Sequence, residues 1–378
     1  MSVTYIKDQT KYLLWGKAAG RCQYAGCNRR IDLNSVTKAE FNTAYIAHIV
    51  AVSPNGPRGD EVLSDKLKDD ISNLMLLCDQ CHRLIDKAEV ERHTVEVLQR
   101  MKKDHEDRVE RVTGINREYE AHVILYGANI GNHDSPLRPK IAQEAMLPEF
   151  YPSTVGPLEL GLGNSSFHDH QDEYWAFEDR QLIEKFHQKI TPLKESHPLQ
   201  NFCVFGLAPQ PLLIRFGTLL YDLAKVEVFN NQKEPKTWKW PTGDGPMDFF
   251  KLEKPSQLKS NIALVFSLSA TINDERIHKA LGHECSIWKV TIDNPNNDFL
   301  KFRNHLSQFR TICRKVLNEI KSAHGEEAVI NVFPTMLPST AIEFGRVWYP
   351  KSDLPLVIYD QNRTRGGFIR TIEIGNKR

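Results

Sequence analysis

Four of the seven cysteines of this 378-residue chain fall within its first 81 residues, as Cys22-x4-Cys27 and Cys78-x2-Cys81. Two close pairs separated by a longer insert are the arrangement with which tetrahedral zinc gathers four thiolates from two turns. An odd total in a chain of this length is too sparse for a disulfide scaffold. The competing reading is four buried free thiols acting as small hydrophobes. Gly26 in the first turn and the polar spacer Asp79-Gln80 in the second favour zinc. A unit tied by such a metal can fold around a small core.

The second pair opens a further set. In "NLMLLCDQCHRLID" His82 and Asp86 stand four apart, so on a helix their imidazole and carboxylate share one face and can converge on one cation. Two such ligands leave coordination positions open, as hydrolytic chemistry requires. Taken alone, such a pair is more often a surface salt bridge. His48, in "AYIAHIVAV", and Asn73, in "ISNLMLLC", add chemistry that a structural zinc has no use for.

With these residues in place, "LWGKAAGRCQYAGC", "AHIVAVSPNGPRG" and "NLMLLCDQCHRLID" together resemble an HNH endonuclease of the ββα-metal type with structural zinc. The resemblance implies an α+β N-terminal domain. It implies that His48 is the general base that activates water, and that Asn73 orients it. It places His82 and Asp86 at the catalytic divalent ion, magnesium or manganese, with His82 also counted in the catalytic set. Imidazole suits general-base work because it titrates near neutral pH. Many members carry a further ligand just before the catalytic histidine, and that position here is Ala47. Magnesium accepts water as ligand and tolerates the short set. Arg58, in the Pro-Arg-Gly loop, is a candidate phosphate contact or a solvated loop cation.

Residues 4 to 19 are expected to form an amphipathic helix with Tyr5, Tyr12, Leu13 and Trp15 on its apolar side, ended by Gly20. The run TVEVLQRMKKDHEDRVERV has helical spacing among mixed charges, which predicts a helix packed on one face and free to serve as connector or dimer contact. The Gly, Pro and Ser content of residues 127 to 172 marks a boundary. The expected division is an HNH domain with connecting helix over 1–120, a linker and start of the next domain over 121–172, and a sensor domain over 173–378. Beyond the boundary, strand-like and helix-like segments alternate, which predicts an α/β sheet fold of two related halves.

In that second part "FGLAPQPLLIRFGTLLYDL", "TWKWP" and "FPTMLPSTAIEFGRVWYPKSDLPLVIYDQ" resemble a SAVED domain, the nucleotide-sensing module of bacterial CBASS anti-phage systems, built from two CARF-like Rossmann-type halves. Together the two resemblances imply an HNH-SAVED effector whose activator is a cyclic di- or oligonucleotide and whose substrate is double-stranded DNA. Ligands of open α/β sheets bind beyond the carboxyl ends of the strands. That rule puts 206–210 and 333–339 at the pocket rim, with Pro209, Gln210 and Ser339 as candidate contacts. Trp238, Trp240, Lys236, Lys239 and Arg346 are candidates for holding bases and phosphates. Each tryptophan reads equally as a core residue. An unregulated nuclease would cut host DNA, so the ligand is expected to change subunit association, from a homodimer towards a tetramer.

Charge does not decide among functions. The net charge is +1, and residues 1–120 carry 19 basic and 19 acidic side chains, so any DNA contact has to be a local patch. No apolar run reaches the roughly 20 residues of a membrane span, and the first residues lack a signal-peptide pattern, which is read as cytoplasmic. Two alternatives stay open: a constitutive restriction-type HNH nuclease, and a nucleotide-binding protein whose zinc-containing part only binds DNA or a partner.

Overall fold

A computed structural model describes residues 6–33, 39–40, 42–130, 137–154, 156–161, 167–196, 200–362 and 364–375. The chain divides into two compact units, Met1–Ile115 and Asn116–Arg378. The division falls slightly before the expected residue 120. The segment expected as linker already contributes to the second unit's first sheet.

The N-terminal unit begins with α1 (Asp8–Ala18), closed by Ala19 in the left-handed region at φ 50°. Leu14 and Ala18 carry its core contact, one turn apart, while Tyr12 and Leu13 are exposed, contrary to expectation. Tyr5 lies outside the described residues. Strands β1 (Ala44–His48) and β2 (Leu74–Cys78) pair antiparallel with His48 opposite Leu74 and Ala44 opposite Cys78. Between them lies the short helix α2 (Leu63–Lys66). All five residues of β2 are buried. It runs directly into α3 (Asp79–Arg83), which continues as a π turn over Leu84–Ala88. Helix α4 (Val95–Thr113) is capped by Thr94 Oγ1, which accepts from the Val97 N–H. Its buried residues Leu98, Lys102 and His105 form one stripe, and the His105 ring donates to the Ala18 carbonyl at 3.0 Å, which satisfies the end of α1.

The second unit holds two sheets. The first is parallel, with β3 (Glu120–Gly127) and β6 (Asn201–Leu207) central, β7 (Lys225–Val228) on one edge, and the short β4 (Tyr151–Pro152) and β5 (Leu158–Glu159) against β3. Helices α5 (Pro139–Met146), α6 (Asp172–Lys189) and α7 (Thr191–Ser196) lie between β3 and β6 in sequence, and α8 (Gln210–Leu220) makes the crossover to β7. A two-stranded hairpin follows, β8 (Gln232–Lys233) with β9 (Lys236–Thr237).

The second sheet has the order β10 (Lys251–Glu253), β12 (Cys285–Thr291), β11 (Asn261–Ser267), β13 (Ile330–Thr335), β14 (Leu356–Asn362), β15 (Gly367–Ile374). Its four inner strands are parallel and both edges antiparallel. Helices α9 (Asp274–Leu281), α10 (Arg303–His324) and α11 (Pro338–Val347) supply the crossovers. The expected alternation of elements and the two halves are therefore present.

The halves meet through α8 and α11. A Cβ built on Gly217 would lie 2.0 Å from the Ile342 carbonyl oxygen, and one on Gly345 would lie 2.1 Å from that of Ile214. Glycine at both positions lets the two helix backbones touch. The sequence marks this twice, as Phe216-Gly217 and Phe344-Gly345. A single hydrophobic cluster runs from β3 and β6 through α8 and α11 to β13 and β14.

Candidate functional site

The four cysteines converge. Their sulfur atoms all lie within 4.8 Å of one another, and Cys27 Sγ stands 3.9 Å from Cys78 Sγ. Tetrahedral zinc with bonds of about 2.3 Å places sulfurs about 3.8 Å apart, so the spacing fits. Gly26, at φ 82°, closes the first turn. Cys78 is the N-cap residue of α3. Burial pushes the Cys22 thiol up to about 12. Burial opposes ionisation of Cys78 too, but the Cys81 N–H and hydrogen bonds from the three neighbouring thiols hold it below the ordinary thiol range. Clustered thiolates repel one another, and a dication is the partner that removes that cost.

In the second set, Asp86 is bonded both to His82 and to Arg58. His82 Nε2 and Asp86 Oδ2 are 3.1 Å apart. Arg58 Nη2 donates to Asp86 Oδ1 at 2.6 Å, Nη1 to the Ile85 carbonyl at 2.8 Å and Nε to the Ile49 carbonyl at 2.7 Å, and Nη2 lies 3.5 Å from the His48 carbonyl. Its side chain is only 6% exposed, so Arg58 is neither a solvated loop cation nor free to hold phosphate. Sequence reasoning missed this because a Pro- and Gly-rich loop gives no sign of folding inward. Gly59 permits it, since a Cβ there would meet the Pro54 carbonyl oxygen at 2.3 Å. Burial works against the Asp86 carboxylate, yet the bonds from His82 and Arg58 hold it below the usual range. The Tyr45 ring stacks on His82, 4.9 Å between centroids, another contact the sequence did not announce.

His48 sits at the end of β1, and its Nε2 donates to the Lys68 carbonyl at 3.0 Å. That bond places the hydrogen on Nε2 and leaves Nδ1 as the basic nitrogen of the neutral ring. Asn73 does not reach the ring through any hydrogen bond found here. Its Oδ1 accepts from the Val50 N–H at 2.7 Å, and its Nδ2 donates to the Val50 and Leu67 carbonyls at 3.0 and 3.2 Å. Asn73 thus bridges the chain that follows His48 and the segment that carries the Lys68 carbonyl, without a bond to His48 itself among the described residues.

His82 Nε2 and Asp86 Oδ2 are hydrogen-bonded to each other at a separation that is also about that of two cis ligands of an octahedral ion with bonds of about 2.1 Å. Arg58 fixes the other carboxylate oxygen, a supporting contact of the kind that orients metal ligands. Ala47, where a further ligand is common, is buried and offers none. Among the described residues, the four cysteines are the only cluster of three or more converging metal-type ligands.

In the second unit a cavity of 1040 Å³ opens at the carboxyl ends of β6, β13 and β14. Its wall includes Pro209 and Gln210 at the start of α8, Met336 and Pro338 at the start of α11, Asp360 and Gln361 at the end of β14, and Asp169, His170 and Trp175. Gln210 Oε1 accepts the Met336 N–H at 3.0 Å and so joins the two rims. No lysine or arginine lines it among the described residues. Trp175 Nε1 is buried without a partner. Burial pushes the Asp360 carboxyl up to about 7; the Gln361 backbone N–H opposes the rise and the Asp169 charge adds to it.

Of the expected ligand contacts, Pro209 and Gln210 line this cavity. Ser339 is buried and donates to Asn230 Oδ1 at 2.8 Å. Trp238 and Trp240 belong to the core, Trp238 edge-on to Phe205, and Lys236 and Lys239 lie on the exposed side of the same short hairpin region. Arg346 is bonded to Glu343 and faces a different cavity. Asp360 was missed, although the polar residues ending the apolar run of "PLVIYDQN" follow the same carboxyl-end rule.

Residues 182–374, just over half of the chain, match the SAVED family, the SMODS-associated and fused to various effectors sensor domain. The chain belongs to the SAVED family. Among solved structures it is similar to the Acinetobacter baumannii Cap4 SAVED/CARF-domain containing receptor with the cyclic trinucleotide 2'3'3'-cAAA, at 11% identity and TM-score 0.42 over 84% of this chain and 67% of that one. The same receptor with 3'3'3'-cAAA gives 12% and 0.45 over 84% and 68%. The Moraxella osloensis Cap4 SAVED/CARF-domain containing receptor gives 11% and 0.41 over 84% and 70%. No curated protein matches the chain. Among the described residues no helix is long and apolar enough to cross a membrane.

Proposed function

We propose that this chain is a second-messenger-activated effector of anti-phage defence, in which a cyclic di- or oligonucleotide held in the SAVED unit switches on a DNA endonuclease of HNH type in the N-terminal unit. The observation that carries the sensor half is the 1040 Å³ cavity rimmed by the starts of two helices, one from each half. Helix N-termini favour phosphate, and with no cation in the described wall they are its principal source of positive potential. The unpartnered Trp175 Nε1 offers a donor to the ligand.

For the nuclease half, support comes from the His82–Asp86 pair, whose carboxylate Arg58 ties to the chain at the end of β1 where His48 stands, and from Asn73, which bonds the chain just after His48. His48 Nδ1 takes the proton of the attacking water, with Nε2 anchored on Lys68. Asn73 holds the backbone on both sides of that contact. His82 and Asp86 hold a divalent ion, magnesium or manganese, which when bound stabilises charge on the scissile phosphate. The four cysteines hold zinc. Because a single small unit meets one strand, cutting both strands calls for two, and the ligand is proposed to drive a dimer towards a tetramer.

The test is plasmid integrity on a gel, with full-length protein, magnesium or manganese, and a panel of cyclic di- and trinucleotides, beside His48→Ala. Cutting that depends on one ligand and vanishes in the variant supports the reading. Equal cutting without ligand favours a constitutive restriction-type nuclease. Ligand binding without cutting, across the panel, favours a zinc-containing DNA- or partner-binding module.

A further inference from the structure

A second cavity, of 480 Å³, lies at the opposite ends of the strands from the first. Its wall is made by the starts of β6 and β7, the first turns of α10 and the later part of α11. The charged residues in it are Lys225, Arg303, Arg310 and Arg346 against Glu227 and Glu343.

Two buried atoms in this wall are left without partners. Glu343 is 1% exposed; its Oε1 accepts from Arg346 Nη1 at 2.7 Å and lies 3.2 Å from Arg310 Nη1, while Oε2 has no partner. Arg346 Nε has none either. A buried charged group with an unused bond is costly, and each such case in a folded protein calls for an explanation. Glu227 differs, since Arg303 Nε donates to it at 2.5 Å. Lys225 is exposed and makes no ion pair among the described residues.

The two open atoms ask for different things. Arg346 Nε needs an acceptor, and the excess of cations in the wall makes an anion the best one. Glu343 Oε2 needs a donor and repels an anion that brings none. A ligand that satisfies both carries anionic oxygens and, a few atoms away, an O–H or N–H. The volume falls within the range of about 300–1,000 Å³ typical of small-molecule sites.

We propose that this cavity is a second small-molecule site, for a phosphate monoester that also carries hydroxyl or amino donors, the class to which ribonucleoside monophosphates belong. The phosphoryl oxygens are taken by Lys225, Arg310 and Arg346, and a ribose hydroxyl or base N–H by Glu343 Oε2. The site stands apart from the large cavity and does not depend on what that one binds.

The experiment is calorimetric titration of the full chain with AMP and GMP, with sulfate as a probe that has anionic oxygens and no donor. The expected result is saturable binding of one nucleotide per chain, at least tenfold weaker sulfate binding, and at least tenfold loss of nucleotide affinity in Arg310→Gln. Lys225→Gln, at an exposed position, gives a smaller loss in the same direction and guards against a folding defect in the first variant. Gln210→Ala, which alters the large cavity, leaves this binding unchanged. No saturation up to millimolar nucleotide overturns the proposal, as does full affinity in both Arg310→Gln and Lys225→Gln, or loss confined to Gln210→Ala.

Discussion

Arg58 Nη2 and Asp86 Oδ1 are 2.6 Å apart, a part-buried ion pair that ties the loop after β1 to the turn after α3. The same guanidinium holds the Ile49 and Ile85 carbonyls, so one side chain sets the separation between the strand that ends in His48 and the helical segment that presents His82. Removing the guanidinium leaves the Asp86 carboxylate with His82 alone and takes the donor from the Ile49 and Ile85 carbonyls. Arg58→Met is expected to cost the N-terminal unit about 1–3 kcal/mol, read as faster hydrogen exchange across residues 44–88 than across the second unit. Unchanged exchange would remove Arg58 from this role.

The cysteine cluster predicts one zinc per chain with four sulfur neighbours at about 2.3 Å by X-ray absorption. A strong chelator or Cys81→Ala is expected to lower the melting temperature of the N-terminal unit and leave that of the second unit in place. Full zinc content in Cys81→Ala would contradict the assignment.

Asp360 gives the large cavity a pH signature. With the carboxyl near 7, protonation removes a negative charge from the wall as pH falls, so affinity for an anionic ligand is full below that range and lost as pH rises through it. One linked proton makes binding about tenfold tighter at pH 6 than at pH 8. His170 and Asp169 share the wall, so Asp360→Asn is the control, and it is expected to flatten most of the dependence. The sign for folding is the same: a carboxyl raised above its unfolded value near 3.9 contributes stability below that value and loses it as pH rises through about 7.

Gly217→Ala and Gly345→Ala each drive a methyl to within about 2 Å of a backbone oxygen. Overpacking of a tight contact costs about 1–3 kcal/mol, and here the neighbour is main chain that cannot rotate away, so the upper end is expected. Denaturant midpoints of the second unit check this; a neutral effect would mean that α8 and α11 separate easily.

The parts of this molecule legible in sequence were those whose chemistry is local. Cys22, Cys27, Cys78 and Cys81 lie in two turns whose spacing already serves a metal, and His82 and Asp86 share a helical face by spacing alone. The strand ends at Pro209 and Gln210 followed from the rule for open sheets. What was not legible depends on where a loop folds back. Arg58 reads as a surface residue until Gly59 allows the loop to turn inward. Trp238 and Trp240, flanked by lysines, read equally as base-stacking or core residues, and their burial, with Trp238 edge-on to Phe205, makes them core. Tyr12 and Leu13 read as the apolar side of α1, whereas Leu14 and Ala18 form it.

The backbone contact at Gly217 and Gly345 has a consequence for selectivity. Since α8 and α11 rest on each other without intervening side chains, the gap between their first turns at the cavity rim is set by main-chain geometry, which mutation of the wall does not readily alter. On the function proposed above, the cavity is then a fixed gauge: it would measure the span between phosphates, and therefore the size of a ring, before any side chain inspects a base.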